Sequence, residues 1–279
     1  MEYWQHIYDH FGPVALQFGS FSVRWYGIMY ALALTLAFWT AKQIIRIDKL
    51  PIPVEAMDNF ATWEIVGVVL GARLAYVLFY DTQTSYYLIH PWQMFNPFTN
   101  GQFTGLRGFS YHGGLIGFIA AAMLFARSKK MPVWPLLDLC SVAAPLGYTL
   151  GRIGNFLNHE LFGRATDMPW GIYVDGVQRH PSQLYEAFGE GIVIFAILWF
   201  WRKHKTFDGQ LAMSYGMLYG LARFVCEWFR EPDAQIGYLA GGWLTMGQLL
   251  SLGIVVAAAA GYAVLAYRGR ARRDGAAAP

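Results

Sequence analysis

The chain is 279 residues long, 56% hydrophobic and only 14% charged, with 11 Trp and a formal net charge of +3. Soluble domains carry about 25% charged residues, so an ordinary water-soluble globule is excluded, and so slight a basic surplus does not mark a nucleic-acid surface. With 2 Cys in the chain, both inside apolar stretches, a disulfide framework is excluded too.

Crossing a hydrocarbon core of roughly 30 Å takes about 20 apolar residues in a helix. On that rule the sequence predicts an all-α integral membrane protein with seven transmembrane helices, at 25–45, 59–80, 111–126, 133–150, 183–201, 211–229 and 243–267. Pro135, Asp138 and Pro145 interrupt the fourth. With spans so dense, a single polytopic membrane domain (1–279) is expected, with its transmembrane core at 24–267 and a basic, disordered cytoplasmic tail at 268–279. The first 20 residues are polar and aromatic, without the basic start or small-residue cleavage site of a secretory signal, so the first span is not expected to be removed.

The lysines set the orientation. All six (Lys42, Lys49, Lys129, Lys130, Lys203 and Lys205) fall in every second connection. Short basic loops stay cytoplasmic. The N-terminus is therefore expected outside, the C-terminus in the cytoplasm, and the connections 81–110, 151–182 and 230–242 in a periplasm-facing loop region.

At about 1.5 Å of rise per residue, that orientation gives each polar residue of a span a depth. His112 opens the third span at its outer end, and Arg152 and Asn155 follow the outer end of the fourth. Glu186 and Glu190 occupy the first turns of the fifth, while Arg73, Arg223 and Glu227 lie in the outer halves of the second and sixth. Only Glu64 and Asp138 fall toward the inner side, where Asp138 reads as structural. Ionisable side chains in a bilayer are costly and face a cavity or one another. Their gathering in one leaflet fits a site reached from outside better than a path through the whole thickness.

The chemistry of the set is specific. The run GRIGNFLNHE at 151–160 offers two glycines where backbone amides can approach an anion. Arginine forks suit phosphate oxygens, and His112 is the side chain best able to exchange a proton near neutral pH. Guanidinium groups gripping an anionic headgroup beside a general base is the arrangement this describes. Each member also has a structural reading: Arg223 and Glu227 can neutralise each other at a spacing of four, Arg73 can pair with Glu186 or Glu190, and tyrosines near a membrane surface serve as anchors. His159-Glu160 opens like a zinc-protease motif, but Gly163 stands where the second histidine belongs. No Gly-x-Ser-x-Gly element, P-loop or dinucleotide fingerprint occurs. Neither a metal nor a cofactor is expected.

The longer run GRIGNFLNHELFGR at 151–164 resembles the signature of the prolipoprotein diacylglyceryl transferase family. RWYG at 24–27, YHGGLIG at 111–117, HPSQLYE at 180–186, YGLARF at 219–224 with Glu227, and REPDAQ at 230–235 occur in that family's order. The resemblance covers most of the chain; His159 departs from it, standing where glycine is common. It implies a seven-span enzyme of the bacterial inner (cytoplasmic) membrane with its active site toward the periplasmic side. Such an enzyme moves the diacylglyceryl group of phosphatidylglycerol onto the lipobox cysteine thiol of a prolipoprotein. A thioether forms and glycerol-1-phosphate leaves, as the first step of lipoprotein maturation. Phosphatidylglycerol, prolipoprotein signal peptides and membrane lipids are the partners implied, and no nucleic acid. The resemblance also implies His112, Arg152, Arg223, Tyr26 and Tyr219 as catalytic residues: the arginines at the headgroup phosphate, His112 as base for the thiol, the tyrosines positioning. Arg152, Asn155, Glu160, Gly163, Arg223 and Glu227 form the implied substrate-binding set. An arginine-held network is the alternative to His112 for taking the proton.

Overall fold

The computed structural model describes all residues except 20, 100, 104, 107, 232–237, 241, 243 and 277–279, and in addition leaves the side chains of 21, 99, 103, 111, 240 and 272–276 undescribed. Among the described residues there is a long helix at each predicted span: α1 Trp25–Asp48, α2 Ala56–Phe79, α3 Tyr111–Ser128, α4 Val133–Leu157, α5 Ser182–His204, α6 Gln210–Cys226 and α7 Met246–Ala276. Of these, α1, α2, α4, α5 and α7 are long and apolar enough to cross a membrane. The other two, at 18 and 17 residues, are shorter. The interrupted fourth span is thus an unbroken 25-residue helix that contains Pro145. The last helix runs on to Ala276, so the tail expected to be disordered is helical up to that point. Its Arg-Gly-Arg-Ala-Arg-Arg run is made mostly of strong helix formers.

The chain divides into two compact units, Met1–Lys49 with Leu137–Pro279, and Leu50–Leu136. In the second, glycines weld α2 to α3. A methyl group on Gly71 would lie 2.4 Å from the Gly113 carbonyl oxygen and 2.8 Å from the Gly117 Cα, and one on Gly67 would lie 2.8 Å from the Gly117 carbonyl oxygen. Small residues spaced by four let helix backbones touch where no hydrophobic effect drives association in lipid. Arg73 of α2 donates to the carbonyls of Met94 (2.5 Å) and Gly108 (3.2 Å), which ties the connection before α3 to the helix.

The first unit holds α1, α4 from Leu137 onward, and α5–α7. Asp138 on α4 accepts hydrogen bonds from the backbone N–H groups of Gly209 (2.8 Å) and Ala212 (2.9 Å), and from Lys205 Nζ (2.9 Å). It therefore caps α6 from a neighbouring helix, and its structural reading stands. Arg202 pairs with Asp48 at 2.8 Å. Each lysine-free connection, and the segment before α1, carries a two-stranded antiparallel hairpin: Val14–Phe18 with Phe21–Arg24, Phe98–Thr99 with Gln102–Phe103, Ile172–Val174 with Val177–Arg179, and Tyr238–Ala240 with Leu244–Thr245. Asp175 and Gly176 turn the third with φ of 50° and 77°, the left-handed pair that a two-residue hairpin loop requires.

Candidate active site

Four elements of the first unit bring the polar residues together. From α4 comes Arg152, whose Nε lies 2.8 Å from both the Tyr148 hydroxyl and Glu186 Oε2, and whose Nη1 donates to Asn155 Oδ1 at 3.2 Å. Asn155 passes the chain of contacts on: its Nδ2 donates to Glu160 Oε1 at 2.7 Å, while Asn158 donates to Glu160 Oε2 at 3.1 Å. Gln183 of α5 holds the Glu160 carbonyl at 2.6 Å. The residues after α4 are thus fastened by side chains, as a loop carrying buried polar backbone must be.

From α5 come Glu186 and Glu190, 1% and 0% exposed. Glu190 lies within, and Glu186 just before, a π segment, Ala187–Val193, a departure that concentrates at functional sites. Its packing cause is visible. Gly191 has no Cβ, and Thr149 Oγ1 comes within 2.0 Å of where one would be. That hydroxyl donates to the Pro145 carbonyl at 3.0 Å and reaches the Ala187 carbonyl at 3.4 Å. Tyr148 donates to Glu190 Oε2.

From α6 comes Arg223. Its guanidinium lies 3.4 Å from Glu186, 3.7 Å from Glu190 and 2.6 Å from Glu227. Arg230 follows, 3.4 Å from Glu186 and 3.5 Å from Glu227. Thr245, in the strand just before α7, donates to the second oxygen of Glu227 at 3.0 Å. Tyr219 sets its ring edge-on to Tyr148 at 5.9 Å. From α1, Tyr26 hydrogen-bonds Tyr30 at 3.1 Å and stands within electrostatic reach of Glu160 and Arg152. There α1 meets α4, since a methyl on Gly154 would touch Met29 Cβ at 3.0 Å.

Gly163 has a backbone reason to be glycine: a Cβ would lie 2.4 Å from the Phe229 carbonyl oxygen and 2.7 Å from that of His180. Its N–H donates to the His180 carbonyl at 3.0 Å, and it bridges to Arg230. His159 sits at φ 55°, a left-handed conformation that favours glycine, which gives the departure noted in the sequence a local cost. Its ring is tilted against Tyr8 at 4.0 Å and edge-on to Phe11 at 5.0 Å. Burial lowers its pKa from the ordinary value. The N-terminal residues also close over this loop through Trp4 and Gln5, which donate to the carbonyls of Trp170 and Pro169 at 2.8 and 2.9 Å.

Eight of the sequence-predicted residues therefore share the first unit: Tyr26, Arg152, Asn155, Glu160, Gly163, Tyr219, Arg223 and Glu227. His112 belongs to the second unit, exposed in the first turn of α3, where Ser110 caps the helix by accepting from the Gly113 N–H at 3.3 Å. The REPDAQ stretch lies, from 232 to 235, outside the described residues. Tyr148, Arg230 and Thr245 were not singled out for the site. Tyrosine in a span reads as an anchor and threonine as a turn residue, so only the packing reveals them.

The family described as prolipoprotein diacylglyceryl transferase matches residues 13–264. The chain belongs to that family. It is similar to the phosphatidylglycerol--prolipoprotein diacylglyceryl transferase of Aliarcobacter butzleri (strain RM4018), 55% identical over 264 residues, which covers 95% of this chain and 97% of the relative. The proteins of the same description from Campylobacter curvus (strain 525.92) and Wolinella succinogenes are each 56% identical, covering 90% and 91% of this chain and 93% of each relative. Like the prolipoprotein diacylglyceryl transferase family as a whole, the chain is a multi-pass membrane protein, and its helices carry the length and apolarity this needs.

Proposed function

We propose that the chain transfers the diacylglyceryl group of phosphatidylglycerol to the lipobox cysteine of prolipoproteins. It does so from the periplasmic side of the bacterial inner membrane, with seven spans, the N-terminus outside and the C-terminus in the cytoplasm. One observation carries the reading: Arg152 on α4 and Arg223 on α6 converge on the same buried carboxylate, Glu186, at 2.8 and 3.4 Å. Two forks fixed at that separation suit the non-bridging oxygens of one phosphodiester. Family membership supplies the reaction.

The thiol sulfur attacks the glyceryl carbon that bears the phosphate, the C–O bond breaks, and its electron pair passes to the phosphate of the departing glycerol-1-phosphate. That charge grows in the transition state, where preorganised cationic donors act most strongly; Arg152 and Arg223 take this role. Asn155, Glu160, Gly163 and Glu227 hold the headgroup pocket in shape, and Tyr26 and Tyr219 position the reactants. A thiol with a pKa of roughly 8.5 must lose its proton before it attacks well, and His112 is assigned as acceptor.

The test is direct. Purified protein, phosphatidylglycerol and a lipobox peptide should give a peptide heavier by one diacylglyceryl group, and a peptide with serine for cysteine should gain nothing. A folded protein that leaves the cysteine peptide unchanged refutes the proposal.

A further inference from the structure

The ion-pair cluster has no positive charge to spare. Arg152, Arg223 and Arg230 face Glu160, Glu186, Glu190 and Glu227. Arg164 turns its guanidinium to the carbonyls of Arg230 and Glu227, and counting it only brings the described residues to balance. A phosphodiester adds a further negative charge. Uncompensated charge in a buried setting is expensive, so an anionic headgroup needs one carboxylate neutralised as it enters.

Geometry singles out which one. Glu227 is met by Arg223 at 2.6 Å and Thr245 at 3.0 Å, Glu186 by Arg152 at 2.8 Å, and Glu160 by two asparagine amides. Glu190 is fully buried, and its closest guanidinium contact is 3.7 Å. One of its oxygens takes the Tyr148 hydroxyl, and the other, like Glu186 Oε2, is buried without a hydrogen bond; what sets Glu190 apart is that no described guanidinium approaches it as closely as Arg152 approaches Glu186. It is faced by Tyr148 and Arg152 from α4, by Glu186 on its own helix, and by Arg223 and Cys226 from α6.

We propose that Glu190 is a specificity-determining residue for the charge of the lipid headgroup. The phosphodiester monoanion binds together with one proton from solvent, which Glu190 carries, and Arg223 is thereby released from one of its carboxylates to serve the phosphate. This rests on the phosphatidylglycerol reading of the site.

The experiment measures equilibrium binding of dioctanoyl-phosphatidylglycerol to the full-length protein in neutral detergent between about pH 6 and pH 9, without peptide. The zwitterionic dioctanoyl-phosphatidylcholine serves as control. Affinity of the wild type for the anionic lipid should fall as pH rises, approaching ~10-fold per pH unit for a single linked proton. Glu190→Gln should bind it at high pH as the wild type does at low pH, flat to within about twofold, with no gain for the zwitterionic lipid. Tyr148→Phe removes the hydroxyl that favours the ionised carboxylate and should move the fall to higher pH.

A merely structural role for Glu190 predicts weaker binding with an unchanged slope, and that result overturns the proposal. So does a flat wild-type profile. Should Glu190→Gln fail to fold, an unmoved profile in Tyr148→Phe decides against it. The two readings fail separately: a wild type that neither binds the anionic lipid nor modifies a lipobox peptide refutes the transferase assignment. One that does both while Glu190→Gln keeps its slope refutes only the role of Glu190.

Discussion

Arg223 divides one guanidinium among Glu186, Glu190 and Glu227. Truncating it takes one cationic partner from each of three buried carboxylates, and breaking a buried pair costs about 3–5 kcal/mol, so Arg223→Ala should lose stability in detergent and cannot separate catalysis from stability. Arg223→Lys can. It keeps the charge and loses the planar fork. We expect a protein that stays folded, by size-exclusion and thermal melting, while its kcat/KM for transfer falls about 10–100-fold; an unchanged kcat/KM would remove Arg223 from the phosphate. A second expectation concerns acid. His159 and His180 lie outside the spans, and burial lowers the proton affinity of both, opposed at His180 by Asp167. The folded state then binds fewer protons than the unfolded chain, whose histidines titrate near ~6.5. Their stabilising contribution is complete above that pH and is lost as pH falls below it. The melting temperature should drop on acidification from neutrality, and less so in His159→Asn, which does not titrate and tolerates the left-handed backbone. An equal drop in both proteins would exclude His159 as its source. The residues of the site were legible because arginine, glutamate and asparagine inside apolar spans have few uses. Their pairing was not, since the contact of Arg152 with Tyr148 and of Glu227 with Thr245 depends on how α4 and α7 are packed.

Elements tell a similar story of local signal and tertiary override. Seven apolar stretches became seven helices, including the one that Pro135, Asp138 and Pro145 seemed to break. Asp138 had been a blemish in a span; in the fold it supplies the carboxylate that α6 lacks at its own N-terminus, where Gly209 offers no side-chain cap. Losing an N-cap costs about 0.5–2 kcal/mol. Asp138→Ala should therefore lower the melting temperature while leaving the transfer rate of protein folded at low temperature near wild type, with Lys205 still held by Asp208 at 2.9 Å. Loss of transfer in a protein of undiminished stability would instead connect Asp138 to the chemistry. The hairpin at 172–179 is written in the sequence as Val-Asp-Gly-Val, a turn dipeptide between β-branched residues, but so short a signal is outweighed by the apolar spans on either side. The π segment was not legible at all. It accompanies the close approach of Thr149 to Gly191, whose missing Cβ leaves room for the hydroxyl, a meeting of two helices that no window along one of them contains.

At the scale of the whole molecule, the lysine rule and the hairpins divide the chain the same way: connections with lysine are short and plain, while those without it carry strands and the signature loop. The rule works only if α3 and α6 cross the bilayer despite lengths of 18 and 17 residues, about 27 and 26 Å of helix. If α3 turned back, Lys129 would emerge on the same side as the connection 81–110. If α6 did, the connection after Lys203 would share a side with Arg230. Single cysteines placed at exposed positions in a background without Cys140 and Cys226 decide both cases. A membrane-impermeant maleimide should label Trp92→Cys and Val177→Cys in intact spheroplasts, and Lys129→Cys and Lys203→Cys only after permeabilisation. Labelling of Lys129→Cys from outside would take α3 out of the membrane. With Lys129 outside and α4 crossing, Arg152 at the far end of α4 would then lie on the cytoplasmic side, against the periplasmic site proposed for it.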